Sequence, residues 1–348
     1  MKKVRLEDIA NKMGVSKTLV SMVLNGYGDK NGIKKETQEK VIALTRELDY
    51  KPNQMARSLR LGKSNTIGLI VADISNAFYA KMARNIEDEC NKYGYNLIIC
   101  SSDEKDAKES SLIRMLKEKQ VDGLIISSTL VDNSEIVVLK QENYPFVLVD
   151  RYFPEIPDTN FVIIDNYKSS YKAVKYLIDS GHQNIAMLSI SPSHLTSVKD
   201  RNKGYFDAIK KANINTDHYL HCLIPFESIE QSVEASIERL LKYEKKITAI
   251  LAVNQNIALA IIKALKKFKI KIPDEISVIT FDDLPFFELL TPSISAISQP
   301  LDVISFNAVK ILIDEINSKG SSRKKDQVVI PSHFILRESC KQLKTKKT

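Results

Sequence analysis

The sequence contains no tryptophan and only four cysteines among its 348 residues. Cys90, Cys100, Cys222 and Cys340 are widely separated and fit no CxxC or Cys/His spacing, which argues against a zinc site and predicts reduced thiols. No run of about 18 apolar residues occurs, so no transmembrane helix and no membrane partner are expected. An apolar signal segment is also missing after the basic N-terminus, so a cytoplasmic location is predicted.

The familiar enzyme motifs are absent as well. The sequence has no G-x-S-x-G elbow, phosphate-binding P-loop, GxGxxG turn or HExxH helix. We therefore expect neither an enzyme nor a bound metal or cofactor. The chain is 43% hydrophobic and 27% charged, which is typical of a folded protein, and its length favours two or three compact units.

The excess of positive charge is confined to one end of the chain. Residues 1–63 carry 14 basic and 7 acidic side chains, whereas residues 64–348 carry 37 and 36. A small basic module attached to an electrically balanced domain is the pattern of a polyanion-binding protein. Charge alone also fits a solvated basic face. The local sequence is therefore needed to distinguish that face from a polyanion-binding module.

The first fifty residues contain the start and stop signals of a helix-turn-helix. A stripe of apolar residues predicts one short helix, Gly14 ends it, and Ser16 is a good N-cap for a second helix. The outward positions of the second helix are Lys17, Thr18, Ser21 and Met22. In this motif the start of the second helix enters the DNA major groove, although an ordinary surface helix pair would have the same spacing. A third helix with an inner stripe from Thr37 to Leu48 is predicted to follow.

Beyond Ser64 the pattern changes to apolar runs that alternate with amphipathic helices. Such β-α repeats in two sets predict two doubly wound parallel sheets that face each other across a cleft. The predicted strands are Thr66–Ala72, Asn96–Cys100, Gly123–Ser127, Phe146–Val149, Ile185–Ser189, Thr248–Val253 and Ser277–Phe281. Polar residues follow several of these strand ends, where open α/β sheets bind their ligands. These residues are Asp73, Ser127, Asp150, Arg151, Asn254, Asp282 and Asp283.

The whole chain resembles the lactose-repressor (LacI/GalR) family of bacterial regulators. The segments that carry the resemblance occur in the family's order between about residues 4 and 340. They are LEDIANKMGVSKTLVSMVLNG, YKPNQMARSLR, IGLIVADISNAFYA, VDGLII, VLVDR, SGHQNIAML, TFDDLP and IPSHFILRES. The resemblance implies an α/β protein in which an N-terminal all-α helix-turn-helix domain precedes a type-I periplasmic-binding-protein-like domain of two doubly wound lobes.

The resemblance also implies domain boundaries. Residues 1–50 would form the DNA-binding domain, 51–63 a hinge helix and linker, and 64–340 an effector-binding and dimerisation domain. Within that domain the N-lobe would comprise about 64–164 and 292–325, and the C-lobe about 165–291 and 326–340. A basic, disordered tail is expected over 341–348.

The DNA contacts implied by the family lie in the helix pair and the hinge, where a leucine at position 59 would wedge into the minor groove of a pseudo-palindromic operator. The implied DNA-binding residues are Arg5, Ser16, Lys17, Thr18, Ser21, Met22, Asn25, Tyr50, Asn53, Ala56, Arg57 and Leu59. Three departures stand out. Met22 replaces the family's usual arginine, Arg5 replaces a capping hydroxyl, and Gly26 to Ile33 contains an insertion.

The implied effector site lies between the lobes, with Arg201 and Asp282 as its main polar groups. It would contain Asp73, Phe78, Tyr79, Ser127, Asp150, Arg151, Arg201, Asn254, Asp282 and Gln299. Two departures concern the ligand. Gln255 replaces an acid that is common in sugar-binding members, and Ile224 occupies the place of a wall aromatic, with Phe226 two residues further on.

The sequence therefore predicts a regulator, preferably a repressor, that binds double-stranded operator DNA as a homodimer. A sugar or sugar derivative is the preferred effector, while a nucleobase-type metabolite, a protein co-regulator or no effector remain alternatives. An architectural DNA-binding protein, a secreted solute-binding protein and an enzyme are the rival classes. Sequence does not decide whether the effector releases or recruits the regulator, or whether dimers pair into tetramers.

Overall fold

The computed structural model describes residues 4–50, 63–191, 193–214, 220–318 and 325–343. The chain divides into two compact units, Met1–Ser64 and Asn65–Thr348, and each is described by itself. The hinge residues assigned from the sequence, Asn53, Ala56, Arg57 and Leu59, lie outside the described residues.

The first unit contains the predicted helix-turn-helix and a third helix. These helices are α1 (Leu6–Met13), α2 (Lys17–Leu24) and α3 (Lys35–Glu47). Gly14 ends α1 with φ at 61°, a left-handed conformation that costs glycine little. The Ser16 hydroxyl accepts a hydrogen bond from the Leu19 backbone N–H at 3.1 Å, which caps α2. The predicted turn and cap are thus confirmed.

A small hydrophobic core holds the three helices together. Ile9 and Ala10 of α1 pack against Val20 and Val23 of α2 and Val41 of α3, and all five are buried. Each fully buried aliphatic side chain contributes roughly 1.5–3 kcal/mol. The small Ala10 side chain is part of this core, and its size allows α1 and α2 to pack closely.

The insertion before α3 forms a loop that is tied to that helix. The Asp29 carboxylate accepts hydrogen bonds from Lys35 Nζ at 2.8 Å and from Gln38 Nε2 at 2.9 Å. A Cβ at Gly28 would lie 2.4 Å from Cδ of Gln38, so a larger residue there would displace this side chain from its hydrogen bond with Asp29. The loop is therefore an ordered part of the first unit.

The second unit contains two six-stranded sheets. The first sheet has the order β11-β5-β4-β3-β1-β2 and is parallel throughout, and the second has the order β12-β10-β9-β8-β6-β7 with only β12 antiparallel. The first sheet contains β1 (Thr66–Val71), β2 (Asn96–Ser101), β3 (Gly123–Ile126), β4 (Phe146–Val149), β5 (Phe161–Ile164) and β11 (Gln327–Ile330). The second contains β6 (Ile185–Ser191), β7 (His221–Pro225), β8 (Ala249–Ala252), β9 (Ser277–Phe281), β10 (Ser295–Ser298) and β12 (His333–Ile335).

Helices cover the faces of both sheets, as right-handed β-α crossovers require. In the first lobe they are α4 (Ala77–Lys92), α5 (Asp106–Glu118), α6 (Ser134–Gln141) and α11 (Leu301–Asn317). In the second they are α7 (Asn166–Asp179), α8 (Thr196–Lys211), α9 (Ile229–Leu241) and α10 (Gln255–Lys267), with short 3-10 turns at Phe226–Ser228 and Pro285–Glu288. The central strands are buried along their whole length except for Thr66 at the start of β1, which explains their continuous apolar runs.

The chain crosses between the lobes at places that differ from the sequence-based boundaries. Strand β10 pairs with β9 in the second sheet, so residues 295–298 belong to the second lobe rather than the first. Strand β11 pairs with β5 in the first sheet, so residues 327–330 belong to the first lobe. Both strands are four residues long, and neither carries an apolar run long enough to assign it to a lobe from sequence.

Residues 341–343, which the sequence assigns to a disordered tail, are ordered. The Leu343 backbone N–H donates to the Ser180 carbonyl at 2.8 Å, and the Lys341 carbonyl lies 3.2 Å from Nε2 of His182. Hydrogen bonds of the backbone therefore fix residues 341–343 to the second lobe. The tail is predicted from its basic side chains, and side-chain charge gives no information about backbone hydrogen bonds.

Candidate functional site

The outward face of α2 presents the residues expected to contact DNA. Lys17 and Thr18 are exposed in the first turn, while Ser21 and Met22 are half-buried one turn later. The Lys17 ammonium forms an exposed ion pair with Glu7 of α1. Since exposed ion pairs contribute little, a phosphate or a guanine could replace Glu7 at small cost.

The other predicted DNA contacts flank this face. Asn25 donates through Nδ2 to the Ser21 carbonyl at 2.6 Å at the end of α2. The Arg5 side chain is exposed, and its backbone N–H donates to the Asp8 carboxylate at 2.7 Å, so α1 begins without a capping hydroxyl. Tyr50 is half-buried against the helix core, and this burial raises the pKa of its hydroxyl. Contact of these residues with DNA stays a prediction.

In the second unit, a cleft between the lobes contains a buried tyrosine–aspartate pair on the first-lobe side. The Tyr79 hydroxyl on α4 donates to Asp150 Oδ2 at 2.9 Å and accepts from Ser127 Oγ at 3.3 Å. Burial is the main cause of the raised pKa of Tyr79. The tyrosine therefore remains protonated and holds the Asp150 carboxylate at the end of β4.

Arg151 lies beside this pair and is neutralised by an acid that sequence reasoning missed. Its two terminal nitrogens donate to the two carboxylate oxygens of Glu104 at 2.9 and 2.7 Å, and one of them also donates to the Ser128 carbonyl at 3.2 Å. Both side chains are nearly buried, at 9% and 13% exposure. A two-fold hydrogen-bonded pair of this kind is strong and geometrically fixed.

Arg201 faces the cleft from α8 in the second lobe, and its described partners are neutral. Its Nε donates to Asn166 Oδ1 at 2.8 Å and one terminal nitrogen donates to the Val253 carbonyl at 2.7 Å. Its guanidinium carbon lies 4.1 Å from the ring centre of Phe281. These contacts orient the buried cation without cancelling its charge.

Asp282 also faces the cleft from the second lobe, at the end of β9. Its Oδ1 accepts a hydrogen bond from Gln299 Nε2 at 2.7 Å. Burial raises the pKa of this carboxyl to about 6, although the Arg201 charge and the Gln299 hydrogen bond oppose the rise. Asp282 is therefore a buried acid that gains from any further hydrogen-bond donor in the cleft.

The two cleft aspartates occupy equivalent positions in the two lobes. Asp150 directly follows β4 with φ at 63°, and Asp282 directly follows β9 with φ at 66°. Aspartate tolerates this left-handed conformation better than most residues. In each lobe the turn places a carboxylate at the carboxyl end of the sheet, where ligands of open α/β sheets bind.

Several hydrogen bonds join the lobes around the cleft. The Gln255 side-chain amide donates to Asn76 Oδ1, the His194 imidazole lies 3.1 Å from the Thr129 carbonyl, and the Tyr152 backbone N–H donates to the Thr196 hydroxyl at 3.0 Å. The part of the cleft around Tyr79, Asp150 and Arg201 encloses about 50 Å³. A second cavity between the lobes, of about 760 Å³, adjoins it and shares Phe78, Asp282 and Gln299 with it. Pockets for small molecules usually measure about 300–1,000 Å³, so the inner part alone is too small for a ligand but the two cavities together are large enough.

Most of the effector residues predicted from the sequence lie in this cleft. Those that line it are Phe78, Tyr79, Asp150, Arg151, Arg201, Asn254, Asp282 and Gln299. Ser127 lies behind Tyr79 and donates a hydrogen bond to its hydroxyl. Asp73 does not line the cleft, because its carboxylate accepts hydrogen bonds from the backbone N–H and the hydroxyl of Ser75 in its own loop. Ligand contact by any of these residues stays a prediction.

The lining residues that sequence reasoning missed lie on strands, on helices and in the turns between them. They are Glu104, Ile190, Ser197, Val198, Val253 and Asn256. Asn76, in the loop from Asp73 to Tyr79 that the family resemblance implies, also lines the cleft. Phe226 supplies the wall aromatic, whereas Ile224 points into the core of the second lobe. Glu104 follows β2 after a short turn, and its position after a strand end is the one signal that could have identified it.

Comparison with known proteins agrees with both units. Residues 5–53 match the model of "Bacterial regulatory proteins, lacI family", and residues 64–338 match that of "Periplasmic binding proteins and sugar binding domain of LacI family". The chain belongs to the LacI family. It is accordingly a DNA-binding transcriptional regulator and not an enzyme.

Relatives of this LacI-family chain match it over nearly their whole length. The transcriptional regulator DegA of Bacillus subtilis is 32% identical over 99% of this chain and 100% of its own. The repressor PurR of Photobacterium profundum is 31% identical over 97% and 99%.

Two solved structures support the architecture. A LacI-family regulator from Enterococcus faecium with bound ribose is 26% identical, covers 80% of this chain and all of its own, and has a TM-score of 0.69. The lac repressor dimer bound to operator shares the fold at a TM-score of 0.84 and 23% identity, covering 98% of this chain and 100% of its own. Among the described residues, no helix is long and apolar enough to cross a membrane.

Proposed function

We propose that this LacI-family regulator binds a pseudo-palindromic operator as a homodimer in the cytoplasm, and that an unphosphorylated sugar in the inter-lobe cleft controls its DNA affinity. The observation that carries the effector assignment is the set of charges in the cleft. Asp150 and Asp282 offer carboxylate oxygens, and Arg201 offers a guanidinium whose hydrogen-bond acceptors among the described residues are neutral. A polyol presents both donors and acceptors, and therefore suits this set.

The charge balance disfavours a phosphorylated effector. Arg151 pairs with Glu104 and also lies 3.5 Å from Asp150 Oδ2, so the cleft holds two arginines against the three carboxylates of Glu104, Asp150 and Asp282. A phosphate would bring two further negative charges close to those carboxylates, and repulsion between buried like charges is expensive. The similar ribose-bound regulator and the sugar-binding description of the matched domain favour the same ligand class.

DNA recognition is assigned to the exposed start of α2. In a helix-turn-helix this end enters the major groove, where Lys17 donates to guanine and Thr18 contacts a base or a phosphate. Met22 supplies only apolar contact, for example to a thymine methyl group. The operator is therefore expected to differ from those read by relatives with arginine at this position.

Closure of the lobes provides the link between sugar and operator. A sugar that contacts both lobes favours one angle between them, and a regulator with two lobe angles has two DNA affinities. Residues 51–62, which would transmit the change, lie outside the described residues.

The experiment begins with selection of duplex DNA sites from a random library by the purified protein. We expect a pseudo-palindromic site, and we expect fluorescence anisotropy to show that Lys17→Ala and Thr18→Ala weaken it while salt-dependent non-specific binding persists. Lys12→Ala is the matched control, since this exposed lysine lies on α1 and pairs with Glu47 at 2.9 Å. Selection of unrelated sequences, with no half-site, would contradict operator recognition.

A further inference from the structure

A second concave surface lies outside the cleft, between helices α7 and α8 of the second lobe. The two helices come into contact at Gly204, where an added Cβ would lie 2.4 Å from the Tyr167 carbonyl oxygen. Long side chains then border a groove of about 720 Å³. Its lining residues, called the lysine–tyrosine groove below, are Tyr167, Lys168, Tyr171, Lys172, Asp207, Lys210, Lys211 and Asn213.

Positive charge in this groove exceeds its compensation. Lys168 pairs with Asp165 at 2.8 Å. Over the part of the chain that the structure describes, Lys172, Lys210 and Lys211 have no carboxylate within ion-pair distance. Residues 64–348 as a whole are nearly balanced in charge. The groove contains one carboxylate, Asp207, which pairs with Lys203 at 2.6 Å, against these three ammonium groups. The excess forms a local positive potential that attracts an anion.

Aromatic surface lies between these cations. The rings of Tyr167 and Tyr171 are one helical turn apart, with their centres 6.2 Å from each other and their planes tilted by 33°. Lys203 Nζ lies 4.4 Å from the centre of the Tyr167 ring, and Lys211 Nζ lies 5.9 Å from that of Tyr171. Both tyrosines are half-buried, so part of each ring stays accessible to a ligand.

We propose that the lysine–tyrosine groove binds an organic phosphate that carries a flat heterocyclic ring, as a nucleotide does. Ammonium groups bind phosphate oxygens as point charges, and tyrosine faces accept stacked rings. The groove volume lies within the range of small-molecule sites. None of its lining residues lines the inter-lobe cleft, so this site is separate from the sugar site.

The test is isothermal titration calorimetry of the full-length protein with ADP as the probe. We expect ADP to bind to the wild type and the triple variant Lys172→Ala, Lys210→Ala, Lys211→Ala to bind it at least tenfold more weakly. The matched control is Lys245→Ala, Lys246→Ala, Lys266→Ala, which removes three exposed lysines elsewhere in the same lobe and should leave ADP affinity unchanged. Circular dichroism melting verifies that both variants fold.

Further titrations distinguish the contributions of ring and phosphate. Tyr171→Leu should weaken ADP several-fold, and adenosine and inorganic phosphate should each bind at least tenfold more weakly than ADP. The proposal is overturned by absence of ADP binding, by unchanged affinity in the groove triple variant, or by phosphate binding as tightly as ADP. Loss of ADP binding in Arg201→Lys with an unchanged groove variant would place the nucleotide in the cleft, and would overturn it as well.

Discussion

The two buried arginines of the cleft, Arg151 and Arg201, have opposite environments. Arg151 in the first lobe is held by both carboxylate oxygens of Glu104, whereas Arg201 in the second lobe donates to an amide and to a backbone carbonyl. Both are oriented, but only Arg151 has a carboxylate as a hydrogen-bond partner among the described residues. We therefore expect a ligand to depend more on Arg201 than on Arg151.

The largest expected effect comes from replacing the two arginines in parallel. Arg201→Lys should weaken sugar binding about 100-fold, because roughly 3 kcal/mol of charge-assisted hydrogen bonding depends on the planar guanidinium. The matched Arg151→Lys variant should weaken it less than tenfold. Calorimetric titration with the sugar that stabilises the wild type measures both. Equal losses in the two variants would remove the distinction between the arginines.

The second prediction concerns Glu104. Glu104→Gln leaves the Arg151 charge without its partner and should lower the free energy of unfolding by about 3 kcal/mol. Urea denaturation followed by circular dichroism measures this loss. The double variant Glu104→Gln, Arg151→Met should recover part of it, since the buried cation is gone, while Asp150 loses its 3.5 Å contact to Arg151 but keeps the hydrogen bond from Tyr79. The ion pair would be unimportant if the single variant were as stable as the wild type.

The third prediction uses the pH dependence of Asp282. Its folded pKa of about 6 exceeds the ordinary value of 3.8, so the folded protein binds this proton more tightly than the unfolded chain does. The acid therefore lowers stability as pH rises from about 4 to 6, by on the order of 3 kcal/mol, and the full cost remains above pH 6.

Asp282→Asn removes this cost while keeping an acceptor for Gln299. We expect a higher melting temperature than wild type at pH 8, no gain near pH 4, and loss of the sugar response. Gln299→Glu is a useful contrast, because it places a second acid beside Asp282 and should destabilise the protein at pH 8. A gain in Asp282→Asn that is the same at every pH would contradict the raised pKa.

The smallest effect is expected at Asn76. Its side chain accepts from the Phe78 backbone N–H at 3.0 Å to cap α4, and from Gln255 across the cleft. Asn76→Ala should cost about 1 kcal/mol of stability, which is typical of a lost helix cap. Asn76→Ser keeps the cap and loses the contact to Gln255, so a melting comparison separates the two roles. Identical melting of wild type and Asn76→Ala would show that neither bond matters.

Much of the architecture follows from the sequence, because strong local signals determine it. Gly14 and Ser16 define the turn between α1 and α2, and the apolar runs of β1, β3 and β9 define buried strands. Short strands such as β10 and β11 have no such signal, and only their pairing across the chain assigns them to a lobe.

The candidate site, like the fold, can be predicted from the sequence only where a local signal exists. Aspartates 150 and 282 follow strand ends, so the rule for open sheets places them correctly. The Glu104 partner of Arg151 is 47 residues away in sequence, and no local pattern pairs them. Likewise Asp73 has the expected position after a strand, but a short-range bond to Ser75 turns it away from the cleft wall.

The most direct test of the sugar assignment is differential scanning fluorimetry of the wild-type protein. The panel pairs neutral sugars with their phosphate esters and adds nucleobases and nucleosides. We predict that a neutral sugar raises the melting temperature in a dose-dependent way and that its phosphate ester does not. Stabilisation by phosphate esters or nucleobases alone would contradict the charge balance deduced for the cleft.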